Sequence, residues 1–225
     1  MKKLVTIILA VILVATAACA SAATVGICQL VQHAALDQAT QGFKDALLEK
    51  MPDVEFDEQN ASGDAVNCAT ITNTFASNGV DLIMANATPA LQAAVAATGD
   101  IPILATSITE YGVALDIDDF TGVTGINVSG TSDLAPLDEQ AAMVKELFPD
   151  AKKVGLLYCS AEANSIYQVK VVGEELAKLG YETEEFAFTD SNDVASVSAL
   201  AASNSDVIYI PTDNTAAAYT ETIAN

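Results

Sequence analysis

The sequence has no arginine, no tryptophan and a single histidine, His33. Its only strong bases are nine lysines, set against thirty acids, and the net charge is −21. A surface this acidic repels nucleic acid and anionic lipid headgroups, so nucleic-acid binding is excluded. One histidine leaves a catalytic triad a single candidate base, and there is no G-x-S-x-G turn to present a nucleophile. No His/Cys spacing fits a metal site, and no phosphate-binding loop with its lysine occurs. "GVTGINVSG" has the wrong glycine spacing for a dinucleotide site, and "LDIDDF" lacks the glycine and distal glutamate of a calcium loop. The expectation is therefore a protein with no cofactor, no metal and no catalytic residues. Only 17% of residues are charged and 51% are apolar, which is the balance of a folded core and not of a disordered chain. At 225 residues the chain holds one large domain or two small ones.

The N-terminus, "MKKLVTIILAVILVATAACASAATVGI", has a basic start, an apolar run and then small residues. That is an export signal, expected over 1–22, and it places the protein in the periplasm or outside the cell. Two processing readings compete: ordinary cleavage after "ASA", or lipid attachment at Cys19 within "TAAC". Cys28, Cys68 and Cys159 remain downstream. Buried free thiols are the plain reading. A Cys28–Cys68 disulfide is compatible with export and stays open at this point.

The chain repeats its own pattern. "TVGICQLVQHAALDQATQGFKDALLEK" and "KVGLLYCSAEANSIYQVKVVGEELAKLGY" each read as strand, loop and helix. A strand follows in each ("VEFDEQ", "EEFAFT"), then a helix opened by Asp64 or by Asn192–Asp193. Next come "NGVDLIMANATPALQAA" and "SNSDVIYIPTDNTAAAY", so that Val25 matches Val154 and Asp81 matches Asp206. Leu36, Ala39, Phe43 and Leu47 fall at helical spacing, as do Cys68, Ile71 and Phe75, and Ile166, Val169, Val172, Leu176 and Leu179. "DLIMA" and "DVIYI" are unbroken apolar runs, as in parallel strands covered on both faces. Alternating strands and helices predict an α/β protein of two lobes with parallel sheets. Lobe 1 is expected over 23–121, a Gly/Ser/Thr-rich crossover over 122–131 and lobe 2 over 132–225.

Ligands in open parallel sheets bind where the strands end. The strand ends here deliver short hydrogen-bonding side chains: His33, then Asn86 and Thr88, then Thr106 and Ser107, in the first lobe. In the second they deliver Ser160, Asn164 and Ser165, then Asp213 and Asn214. Thr88–Pro89 reads as an N-cap followed by proline at the first helical position. With arginine absent, a ligand carboxylate would be held by N–H groups and hydroxyls, and a ligand ammonium by Asp213. Asp, Asn and Thr also favour such junctions simply as caps and turn formers. Only their recurrence at five strand ends in two lobes points to a site. Glu162 is expected to stabilise the start of its own helix.

The blocks "QLVQHAALDQATQGFKDAL", "NGVDLIMANATPALQAA", "TGINVSGTSD", "AKKVGLLYCSAEANSIYQ" and "DVIYIPTDNTAA" together resemble the substrate-binding proteins of ABC transporters linked to tryptophan and tyrosine uptake. The resemblance implies a type I periplasmic-binding-protein architecture of two Rossmann-like lobes, here C-terminally incomplete because the family's chain runs on past Asn225. It implies a monomer that closes on a small ligand, an amino acid, aromatic or otherwise, and delivers it to an ABC permease. Asn86, Thr88, Thr106, Ser107, Ser160, Asn164, Ser165, Asp213 and Asn214 match the family's ligand loops. An extracytoplasmic ligand-sensing domain for signalling, and more remotely a secreted enzyme, are the alternatives.

Overall fold

The computed structural model describes residues 22–225. The export signal and Cys19 lie outside these residues. The first sheet is formed by β1 (Thr24–Gln29), β2 (Glu55–Asn60), β3 (Leu82–Asn86), β4 (Ile103–Ile108) and β5 (Val128–Ser132), in the order β2-β1-β3-β4-β5. The second is formed by β6 (Lys153–Cys159), β7 (Glu182–Phe188) and β8 (Val207–Tyr209), in the order β7-β6-β8. Every pairing is parallel. Helices α1 (Ala34–Lys50), α2 (Ala65–Asn78), α3 (Thr88–Ala97) and α4 (Tyr111–Leu115) connect the first set. Helices α5 (Leu137–Leu147), α6 (Ala163–Lys178), α7 (Val194–Asn204), α8 (Asn214–Ala218) and α9 (Thr220–Ala224) belong to the second. The segment 122–131, expected as a crossover, contributes most of β5, an edge strand of the first sheet.

Local chemistry sets the element boundaries. Asp64 caps α2 by accepting from Val66 N at 2.7 Å, and Gly79 ends it in the left-handed region at φ 67°. The buried side of α2 carries Cys68, Thr72 and Phe75. Gly26 lets Phe75 lie directly on β1, since a Cβ there would sit 2.6 Å from its ring. The buried stripe of α6 is Ser165, Gln168, Val169, Val172 and Leu176. Ile166 and Leu179, expected on that face, are 47% and 38% exposed. The stripe is rotated because Gln168 turns inward to hold the backbone of Thr212.

The repeat is visible in bonds as well as order. Asp81 accepts from Thr24 N at 2.8 Å, and its counterpart Asp206 accepts from Lys152 N and Lys153 N at 2.9 and 3.0 Å. In each lobe an aspartate before a later strand therefore ties that strand's start to the start of the first.

Candidate functional site

Parallel strands bring all their carboxyl ends to one edge of each sheet, and the two edges face each other. In the first lobe the strand ends depart from ordinary backbone. Ala87, after β3, has φ 91°, and Ser107, in β4, has φ 57°. Such conformations are costly for residues with a Cβ and cluster at binding sites. Ala87 is held there by Ala87 N donating to Thr106 O at 3.1 Å. It is also the N-cap of α3, so Thr88 is the first helical residue and the helix begins one place earlier than expected.

Beneath these ends runs a buried amide–hydroxyl network. Asn86 Nδ2 donates to Leu36 O and to Thr40 Oγ1, both at 2.9 Å. Thr40 Oγ1 donates to Gln29 Oε1 at 2.6 Å, and Gln29 Nε2 donates to Asp37 Oδ1 at 2.7 Å. The network fixes the start of α1, and with it His33, the residue that precedes this helix. His33 Nε2 reaches Asn214 Oδ1 of the second lobe at 3.4 Å.

In the second lobe two buried carboxylates organise the cleft wall. Asp213 Oδ2 accepts from Cys159 N at 2.6 Å and Oδ1 from Ala216 N at 2.7 Å, which caps α8 and ties it to the end of β6. Burial, and then the nearby Glu162 charge, push the Asp213 carboxyl up to about 6. Glu162 is the N-cap residue of α6, and its carboxylate accepts from Asn164 Nδ2 in the first turn at 3.3 Å without bonding a backbone N–H of that helix. It also crosses to α8, where Oε1 accepts from Thr215 N and Thr215 Oγ1, each at 2.9 Å. Its Oε2 accepts from Asn214 N at 3.1 Å and from Asn214 Nδ2 at 2.6 Å. Glu162 thus stands at the start of α6 and also holds the start of α8. The reason is geometric: α8 starts beside the end of β6, and its N–H groups need an acceptor.

Three cavities open along the facing edges. One, of about 380 Å³, is lined by His33, Asp213 and Asn214 among others. A second, of about 450 Å³, sets Val31, Ser62 and Asp64 of the first lobe against Asp190, Thr215 and Tyr219 of the second. A third, of about 570 Å³, is lined by Gln29, Asp37, Glu58 and Asn60 with Tyr219. No lysine lines any of the three. A ligand carboxylate would meet only N–H and hydroxyl donors there, and a ligand ammonium would meet acids.

The expected site residues divide by position. His33, Asp213 and Asn214 line a cavity. Asn86, Thr88, Asn164 and Ser165 are buried in the walls, where Asn164 Nδ2 donates to Thr212 O at 3.1 Å. Ser160 Oγ donates to Phe188 O at 3.1 Å. Ser107 is partly buried at its left-handed turn. Thr106 lies apart from the cleft, in a groove with Phe43, Met84 and Leu104. Gln168, Thr215 and Tyr219 were not singled out by sequence. Tyr219 could have been found, as an aromatic residue one turn beyond the "PTDN" strand end.

The family model described as ABC transporter substrate binding protein matches residues 24–225. A curated "Tyrosine-binding protein" from Clostridioides difficile (strain R20291) is 39% identical over 197 residues, 84% of this chain. The chain spans 56% of that relative's length. The crystal structure of an ABC domain in complex with L-Trp from Streptococcus pneumonia is 35% identical at a TM-score of 0.84, covering 90% of this chain and 70% of that one. The ligand-free, open structure of a substrate-binding protein with adhesive properties from Clostridium difficile is 38% identical, with the same coverage, at a TM-score of 0.58. The two facing parallel sheets are those of a type I periplasmic binding protein, and the chain belongs to the ABC transporter substrate-binding protein family.

Proposed function

We propose that this chain is the extracytoplasmic solute receptor of an ABC importer. It takes an aromatic amino acid between its lobes and delivers it to a membrane permease. The observation that carries this reading is the cavity whose walls come from both lobes, with Asp64 on one side and Asp190 and Tyr219 on the other. Two walls that share one ligand favour closure in proportion to the contacts each adds. The lobe arrangement supports the same reading. At nearly equal identity, it lies nearer the tryptophan-bound relative than the ligand-free open one, by TM-scores of 0.84 against 0.58. The receptor acts as a monomer, exported by its N-terminal segment, without cofactor, metal or turnover of its ligand.

A thermal-shift screen of the common amino acids and nucleosides tests this, because a ligand that binds only the native state raises Tm. L-Tryptophan or L-tyrosine should raise Tm with micromolar affinity, roughly −8 kcal/mol. A shift with nucleosides and none with any amino acid would overturn the ligand class.

A further inference from the structure

We propose that the Tyr111 hydroxyl positions the carboxyl end of β4 for ligand binding, by clipping a bulge between β4 and β5. This rests on the reading that a ligand is taken between the lobes. Ala105 pairs with Gly130 and Ile108 with Ser132, so Thr106 and Ser107 of β4 together oppose the single Thr131 of β5. Two residues against one make a β-bulge, a device that re-aims a strand and is common beside active sites. Ser107, within the bulge, is held in the left-handed region at φ 57°. A residue with a Cβ keeps such a conformation only where its surroundings enforce it.

Tyr111 supplies that enforcement. Its hydroxyl donates to Ala105 O at 3.2 Å and to Thr131 O at 3.3 Å. One proton is shared between a carbonyl just before the bulge and a carbonyl opposite it. The approach is close, since a Cβ on Gly130 would collide with both the hydroxyl and Ala105 O. The ring is carried there without help from the hydroxyl. Tyr111 opens α4, whose start is capped by Glu110 accepting from Gly112 N at 3.0 Å and from Val113 N at 2.6 Å. The ring is buried and stacks on Phe120, with centroids 6.2 Å apart. Burial, and then the Asp133 charge, push the phenol up to about 12, so it remains a donor at neutral pH. On the other side of β4, Ala87 N donates to Thr106 O at 3.1 Å. The clip therefore steadies the Ala87 turn at the end of β3 as well as Ser107.

The test compares Tyr111→Phe, which keeps the ring, its stack and the cap of α4, with Tyr181→Phe. Tyr181 also donates its hydroxyl to a backbone carbonyl, Phe148 O at 2.9 Å, but at the strand-start edge of the second sheet. Hydrogen exchange of the full chain, read by mass spectrometry, should speed up over residues 105–109 and 129–132 in Tyr111→Phe and not in Tyr181→Phe. Titrations with L-tryptophan and L-tyrosine, well below each melting point, should show about three- to tenfold weaker binding by Tyr111→Phe, the effect of one hydrogen bond. An unclipped bulge lowers the binding-competent fraction, so the loss should lie in the association rate. Tyr181→Phe should bind as the parent does even where its Tm falls. Unchanged exchange at the bulge, parental affinity in Tyr111→Phe, or a loss carried by faster dissociation would each overturn the proposal. Faster exchange at the bulge in a protein whose Tm responds to no amino acid would uphold the clip and sink the transport reading alone.

Discussion

Glu162 Oε1 is the shared acceptor for both the backbone N–H and the hydroxyl of Thr215, each at 2.9 Å, although Glu162 precedes α6 and Thr215 lies in α8. A carboxylate can satisfy several donors at once because it has only acceptors, and a glutamine cannot. Glu162→Gln would turn an NH2 group toward buried N–H donors. The variant should lose about 1–3 kcal/mol in urea denaturation with an unchanged m-value. An unaltered midpoint would mean that this bridge is not formed in solution.

Asp213 gives stability an inverse pH dependence. Its carboxyl is raised to about 6 in the fold from an ordinary 3.8, mainly by burial and then by Glu162. Between these values the native state holds a proton that the unfolded chain has released. The stabilisation is therefore fully present below the unfolded value and lost as pH rises through about 6. Tm should rise as pH is lowered from about 7 to about 5. Asp206 acts oppositely, since the Lys152 and Lys153 N–H groups lower its pKa, so its contribution is lost at still lower pH. Asp213→Asn should flatten the rise between neutral and mildly acid pH, and scanning fluorimetry across that range reads it directly.

The two strand glycines should respond differently to a methyl group. At Gly26 the new Cβ meets the Phe75 ring at 2.6 Å, and Phe75 is wholly buried with nowhere to go. At Gly155 the nearest atom is the Ser205 hydroxyl, the free end of a side chain. Gly26→Ala should cost about 1–3 kcal/mol, as overpacking does, and Gly155→Ala clearly less. Equal losses by denaturant titration would show that Phe75 relaxes more freely than its packing implies.

What the sequence made legible was whatever depends on local periodicity. The parallel strands, the Asp64 cap and the Asp81–Asp206 correspondence all follow from residues a few positions apart, or from the chain compared with itself. The facing of Ile166 and Leu179 was misread because polar Gln168 claims the inward position through a bond to Thr212, 44 residues away. The tie from Glu162 to α8 is not legible for a similar reason, since those partners lie 52 and 53 positions on and only tertiary packing brings α8 to it. Asn86 ends β3 and Ser160 follows β6, where the apolar runs stop, whereas Thr106 and Ser107 fall inside β4. Whether each points into the cleft or into its wall depends on hydrogen bonds between elements, which composition does not encode.

The choice of Asp213 as ammonium partner is open to a direct test. Both of its oxygens already accept from buried backbone N–H groups, which leaves it a structural task. Asp213→Ala should lower Tm, and it should weaken an aromatic amino acid and its deaminated analogue by the same factor. Calorimetric titration that finds a greater loss for the amino acid would return Asp213 to the ammonium.

Among the described residues, Tyr219 is the tyrosine that lines the cavities between the facing edges. It lines two of the cleft cavities, is 37% exposed, and stands where the second lobe faces Val31 and Ser62 of the first. Its backbone holds the junction of α8 and α9 through N–H bonds to Thr215 O and Ala216 O, which any side chain permits. Tyr219→Ala should therefore leave the ligand-free Tm nearly unchanged. It should weaken an aromatic amino acid about tenfold, the effect of losing one aromatic pair of roughly 0.5–1.5 kcal/mol plus some buried area. Tyr219→Phe keeps the ring and should bind almost as the parent does. If Tyr219→Ala binds tryptophan and tyrosine with parental affinity, the ligand sits elsewhere along the edge, beside His33 and Asn214, and the cavity under Tyr219 is only an approach to it.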